Sequence, residues 1–165
     1  MITYEEAIKL LSYEPETGQL RWKMSRPKAK AGSVAGSIKG NGYVQVRVVG
    51  KMYLAHRLAW LLTHGAWPKA QIDHMNGIRH DNRLANLREC TNAQNQQNLG
   101  LLRHNTSGCI GASWRAQKGK WRANIRAHGK VRHLGYFSTP EQAHAAYIAA
   151  KAQLHEFQPV PRDKI

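Results

Sequence analysis

Carboxylates are scarce in this sequence. Asp and Glu total 10 against 25 Lys and Arg in 165 residues, a formal net charge of +15. From Thr17 to Ile72 there is no acid among ten Lys and Arg, and from Cys90 to Pro140 none among eight. Stretches of one sign repel themselves and point to a polyanionic partner, of which nucleic acid is the commonest. Cysteine is scarcer still, with Cys90 and Cys109 alone. Two cysteines exclude a disulfide framework, suit a reducing compartment and cannot build a zinc site without several His. No continuous apolar run is long enough to span a bilayer, and no signal-peptide pattern is present. An anionic membrane surface would call for an amphipathic basic helix or a lipidation signal. A cytoplasmic chain without membrane contact is therefore expected. With 42% apolar residues and five Trp, one or two small domains can form.

Thr3 followed by Glu6 reads as a capping box, and Ala7, Ile8 and Leu11 mark one apolar face. A short first helix is expected, ending near Ser12. "PETG" is a turn and "QLRWK" a strand. The basic, Gly-rich "RPKAKAGSVAGSIKGNG" is a loop suited to lying along a phosphate backbone. "YVQVRVVGKMYLA" holds two strands around Gly50, with Val44, Val46 and Val48 inward and Gln45 and Arg47 outward. "LAHRLAWLLTHG" is a helix stopped by Gly65. "GASWRAQKGKWRANIRAHGKVRHLGYF" gives three strands with turns at Lys118-Gly119 and His128-Gly129. Thr139, Pro140 and Gln142 begin a last helix, whose stripe of Ala143, Ala146, Tyr147 and Ala150 covers the apolar side of that sheet. In the middle strand Trp121, Ala123 and Ile125 fall on the covered side. Lys120, Arg122, Asn124 and Arg126 fall on the bare one. The reading is α+β with two units. Residues 1–99 contain N-terminal strands and helices leading to a core at 71–99, and residues 105–160 form a three-stranded antiparallel sheet plus one helix.

The core of the first unit is "IDHMNGIRHDNRLANLRECTNAQNQQN", where the central acids Asp73, Asp81 and Glu89 sit among Asn and His. Such residues favour turns, so a plain polar loop is the bland reading. The pattern also reads as strand ("QIDHM"), loop, returning strand ("NLREC") and a helix capped by Thr91. That order can bring Asp73 and His74 against Asn95. Phosphodiester hydrolysis needs a group that takes a proton from water near neutral pH, and His is suited to it. It also needs a metal that neutralises phosphate. Mg²⁺ takes a few hard oxygen ligands and keeps the rest for water and phosphate. Asp73 has a carboxylate, Asn95 an amide oxygen, and Asn86 can bond the His74 ring and fix its tautomer.

"IDHMNG", "DNRLANLREC" and "NAQNQQN" resemble the HNH endonucleases, the ββα-metal nucleases, in the branch of phage and homing enzymes. "HRLAW" and "HGAWP" upstream resemble the region that precedes that motif. The resemblance implies a DNA endonuclease with His74 as general base, Asn86 as its orienting partner, and Asp73 and Asn95 on one Mg²⁺ or Mn²⁺. Asn95 stands where the family often has His, which implies oxygen-only coordination and little affinity for Zn²⁺. It also implies a phage-encoded protein in a bacterial cytoplasm, with double-stranded DNA as partner and no small-molecule cofactor. The competing reading is a DNA-binding regulator that keeps the fold without cutting. No long heptad or spare apolar stripe suggests a dimer, so a nicking monomer is expected. Of the other histidines, His56 is expected to pack or touch phosphate and His80 to lie in the loop. His64, His104, His144 and His155 are expected on the surface, and both cysteines as buried thiols.

"GKWRANIR", "LGYF" and the Ala-rich helix with Tyr147 resemble the AP2 domain. That resemblance implies a sheet in the major groove, with Ser113, Arg115, Trp121, Arg126 and His133 as contacts. Strict alternation puts Trp121 on the apolar face instead. Lys120 and Arg122 are additional phosphate candidates, since Arg can clamp phosphate or read guanine bidentately.

Overall fold

A computed structural model describes residues 1–101 and 104–157. The chain divides into two compact units, with the boundary between Asn92 and Ala93.

In the first unit, helix α1 (Tyr4–Leu10) carries the expected capping box, with Thr3 and Glu6 bonding each other's backbone. It stops earlier than its apolar pattern predicts. Leu11 turns extended, and residues 11–14 form a strand, β1 (Leu11–Glu14). β1 pairs antiparallel with β2 (Gln19–Trp22), Leu11 opposite Trp22. The basic loop that follows is irregular apart from the two-residue β3 (Ser37–Ile38), which edges β4 (Val44–Val48) and β5 (Lys51–Leu54). Val46 and Val48 are fully buried while Arg47 is exposed. β5 runs directly into α2 (Ala55–His64), which Gly65 ends in a left-handed conformation. Leu11, Val46, Val48, Leu58 and Leu61 fill the core, each worth about 1.5–3 kcal/mol on burial. Ala59, Ile72 and Leu87 form a smaller cluster, which Tyr13 and Trp60 flank. That cluster seats the hairpin of β6 (Gln71–His74) and β7 (Leu87–Cys90), which pairs His74 with Leu87.

The second unit begins with α3 (Asn92–Gln97), apart from its first residue. Gln97 explains why α3 goes with this unit although the sequence places it in residues 1–99. Its carbonyl accepts from Lys151 Nζ, and its side chain accepts from Phe157 N at 3.1 Å. The antiparallel sheet orders β10 (Lys130–Phe137), β9 (Lys120–Ala127) and β8 (Ala112–Arg115), backed by α4 (Pro140–Leu154). Ala112, Ala123 and Ala143 let helix and sheet approach closely. A bulge between His133 and Gly135 turns Leu134 to the core while His133 stays outward. Three strands and one helix lie within the expected residues 105–160. The last three expected residues lie outside the described ones. Cys90 is buried and Cys109 half-buried, both free thiols. His155 is not a surface residue, and His144 is half-buried. His155 is buried with Nε2 at 2.9 Å from the Arg126 carbonyl, and His144 bonds the Ile110 carbonyl at 2.8 Å.

Candidate active site

Asp73 and His74 end β6, both buried at 6% and 4% exposure. Beyond them the chain closes a tight polar loop. Gly77 N–H donates to the His74 carbonyl at 2.8 Å, and Ile78 N–H donates to Asn76 Oδ1 at 2.9 Å. Asp81 ties the far side. It accepts from Asn76 Nδ2 at 2.7 Å and from Arg83 Nε at 2.8 Å. The Arg83 guanidinium, and after it other donors, lowers the Asp81 carboxyl to about 2.

The ring partner of His74 is Asn82, not Asn86 as the resemblance implies. His74 Nε2 lies 3.1 Å from Asn82 Oδ1, and Asn82 is itself buried. With the amide oxygen as acceptor, Nε2 carries the proton and the lone pair is on Nδ1. Asn86 spends its side chain on the loop backbone. Its Oδ1 accepts from Asn76 N at 2.9 Å, and its Nδ2 donates to the Asp81 carbonyl at 2.8 Å. A 3₁₀ turn at Leu84–Asn86 aims it there. Sequence reasoning gave Asn82 no role beyond that of a polar loop residue. The signal it held was a second Asn in the same loop, within reach of the same ring.

His74 is also walled by rings. His56, at the start of α2, meets it edge-on with centroids 5.0 Å apart, and Tyr43 touches both at 5.9 and 5.5 Å. Arg79 lies over Tyr43 at 5.2 Å. Burial, then the His74 and Arg57 charges, pushes His56 down to about 3. Burial likewise lowers His74, against the opposing hydrogen bond to Asn82. Both rings are neutral at ordinary pH, and a neutral imidazole is what a general base requires.

Asp73 accepts from Arg88 Nε at 2.9 Å and Nη2 at 2.7 Å, both on Oδ2. Among the described residues no three His, Cys, Asp or Glu gather as a metal cage. The buried Asp73 carboxylate is a hard oxygen donor of the kind that suits a cation keeping most of its shell for water and phosphate. Asn95 is half-buried on α3.

On the second unit, the bare face of the sheet carries Ser113 and Arg115 on β8, Lys120, Arg122 and Arg126 on β9, and His133 on β10. Ser113, Lys120, Arg126 and His133 are exposed; Arg115 and Arg122 are half-buried. Asn124, which sequence reasoning left unassigned, links them. With its oxygen toward Arg122 and its nitrogen toward His133, the amide bonds both, at 3.2 and 3.1 Å. Trp121 is not on this face. It packs on the alanine core with its ring 5.3 Å from Trp114, so alternation holds there against the contact role implied for it.

Residues 53–97 match the HNH endonuclease family. The chain is 36% identical over 76 residues to protein 3.8 of Escherichia phage T7, a match covering 46% of this chain. It spans 63% of that relative's length. A solved structure described as DNA binding and cleavage by the HNH homing endonuclease I-HmuI is similar with a TM-score of 0.42 and 22% identity. It covers 81% of this chain and 75% of that one. No helix among the described residues is long and apolar enough to cross a membrane.

Proposed function

We propose that this chain is a divalent-metal-dependent endonuclease that hydrolyses phosphodiester bonds in double-stranded DNA, as a phage-encoded protein of the homing type. The observation that carries the reading is His74, a buried neutral imidazole fixed through Nε2 by Asn82, beside the Asp73 carboxylate at a strand end. His74 Nδ1 takes the proton of the attacking water. Asn82 holds the tautomer that leaves Nδ1 basic. Asn86 and Asp81 hold the loop that carries Asn82. Asp73, and Asn95 by the family resemblance, would hold Mg²⁺ or Mn²⁺, which supplies charge neutralisation at the phosphate. The AP2-like reading of the second unit is supported by its sheet-and-helix order and a bare face of Arg115, Arg122 and Arg126. That face is set against a DNA groove, with Ser113, Lys120 and His133 as further contacts.

One observation favours a second reading, a DNA-binding regulator that does not cut: both Arg88 donors already occupy Asp73 Oδ2. Plasmid DNA separates the two. The nuclease reading expects conversion of supercoiled plasmid with Mg²⁺ or Mn²⁺, arrest by EDTA, and a loss on the order of 10² to 10⁴ in rate for His74→Ala with DNA affinity kept. Asp73→Ala and Asn95→Ala should each raise the metal concentration required. Tight binding without conversion under any of these metals would establish the regulator instead.

A further inference from the structure

The loop that carries Asn82 is gripped by a part of the chain that lies well upstream of the 53–97 family match. The β1–β2 hairpin, from Tyr13 through its turn at Pro15–Gly18, closes on it at three points. The Tyr13 hydroxyl donates to the Asn82 carbonyl at 2.8 Å. Leu84 N–H donates to the Pro15 carbonyl at 3.0 Å. Gly18, at φ +74°, lies flat on the next peptide. A Cβ there would come 2.5 Å from the Asn82 carbonyl carbon and closer still to Arg83 N. Backbone cannot give way as a side chain can, so this position requires Gly twice, for its φ and for the contact. Three successive residues, 82 to 84, are thus held at a carbonyl, a peptide plane and an amide.

We propose that the β1–β2 hairpin is a brace for the general base. In it Tyr13 and Gly18 are positioning residues that set the Asn82 backbone and, through the Asn82 side chain, the orientation of the His74 ring. The proposal rests on the reading of His74 as that base. The reach of an Asn amide is fixed by its Cα and two torsions, so a displaced Asn82 peptide carries Oδ1 with it. Hydrogen bonds weaken steeply once bent, and misplacement of a reacting group by about 1 Å costs on the order of 10²-fold in rate. The brace is stiff. The Tyr13 ring packs on both apolar clusters of its unit, and β1 is paired along its whole length. Burial, then Asp81, pushes the Tyr13 phenol up to about 12, so it stays a donor.

The test uses the full chain with Tyr13→Phe, which removes one hydroxyl and keeps the packed ring, and Gly18→Ala as the stronger variant. Three quantities are read: single-turnover plasmid cleavage with Mg²⁺, duplex affinity by anisotropy, and the ¹⁵N-detected imidazole signals of His74, assigned by their loss in His74→Ala. Tyr13→Phe should cut about tenfold more slowly, with unchanged affinity and with shifted or broadened His74 imidazole signals. Gly18→Ala should show the same, larger, and if it fails to fold the Tyr13 variant decides alone. Unmoved His74 signals in Tyr13→Phe overturn the brace, whether or not the rate falls. If the wild type cuts nothing, the nuclease reading fails by itself, and the His74 signals still decide the brace.

Discussion

At His74 the protein keeps two imidazoles neutral in contact, and acid should expose the cost. His56 is pushed down to about 3 from an ordinary 6.5, and His74 is lowered as well, burial being the first cause for both. The unfolded chain takes up these protons near 6.5 and the folded chain does not. Stability is therefore whole above about 6.5 and falls as pH drops below it, by about 1.4 kcal/mol per pH unit for each proton taken up only on unfolding. Urea midpoints between pH 7.5 and 4.5 should fall steadily, and more gently in His56→Phe. Asp81, lowered to about 2, does not enter that window, because its stabilisation is lost only below the ordinary carboxyl value of 3.8. Equal slopes for wild type and His56→Phe would show that His56 charges freely in the folded chain. The chemistry at this scale was legible in part. Asp73 and His74 stand out as an acid and a base at the end of a strand pattern. Which Asn meets the His74 ring was not legible. Asn82 and Asn86 are four apart in one loop, and the 3₁₀ turn that swings one to the backbone and leaves the other to the ring is decided by contacts with Pro15 and Tyr13.

Elements whose alternation or caps are strong were readable: β4 and β5 about Gly50, α2 with its Gly65 stop, and β9 with its two faces. β1 was not, because Leu11 continues the helical apolar stripe of α1 and no Gly or Pro marks the change. Pairing with Trp22 across the hairpin decides it. The bulge at Leu134 was hidden for a similar reason, since it is the opposing Ala123 that receives two residues on the core side. The β9 face carries a prediction of its own. Arg122 and Arg126 lie on the face of the sheet away from α4. If each meets one phosphate, Arg122→Ala with Arg126→Ala should flatten the log–log salt dependence of duplex binding by about 1.8, at about 0.9 per contact. Cleavage at saturating protein should stay near wild type. An unchanged slope would take this face out of the DNA contact surface.

Over the whole molecule, the charge of +15 and the acid-free stretches predicted a polyanion, while the place where the chain divides was harder to read. The Asn-rich stretch looks continuous to Asn98, yet the helix it ends in is tied to the last helix through Gln97 and Lys151, residues 54 apart in sequence. At this scale the chain carries one stretch matching the HNH family and no internal repeat of it, so the proposed nuclease has one candidate base. A double-strand break needs two phosphodiesters cut on antiparallel strands. A single site could do that only by releasing the duplex and binding it again in the opposite orientation. A two-fold dimer could do it in one encounter, on a site with matching symmetry. At low protein concentration, supercoiled plasmid should therefore become open circle well before any linear form accumulates, with a rate first order in protein. Linear product arising as fast as open circle, at a rate second order in protein, would show that two copies act together on the duplex.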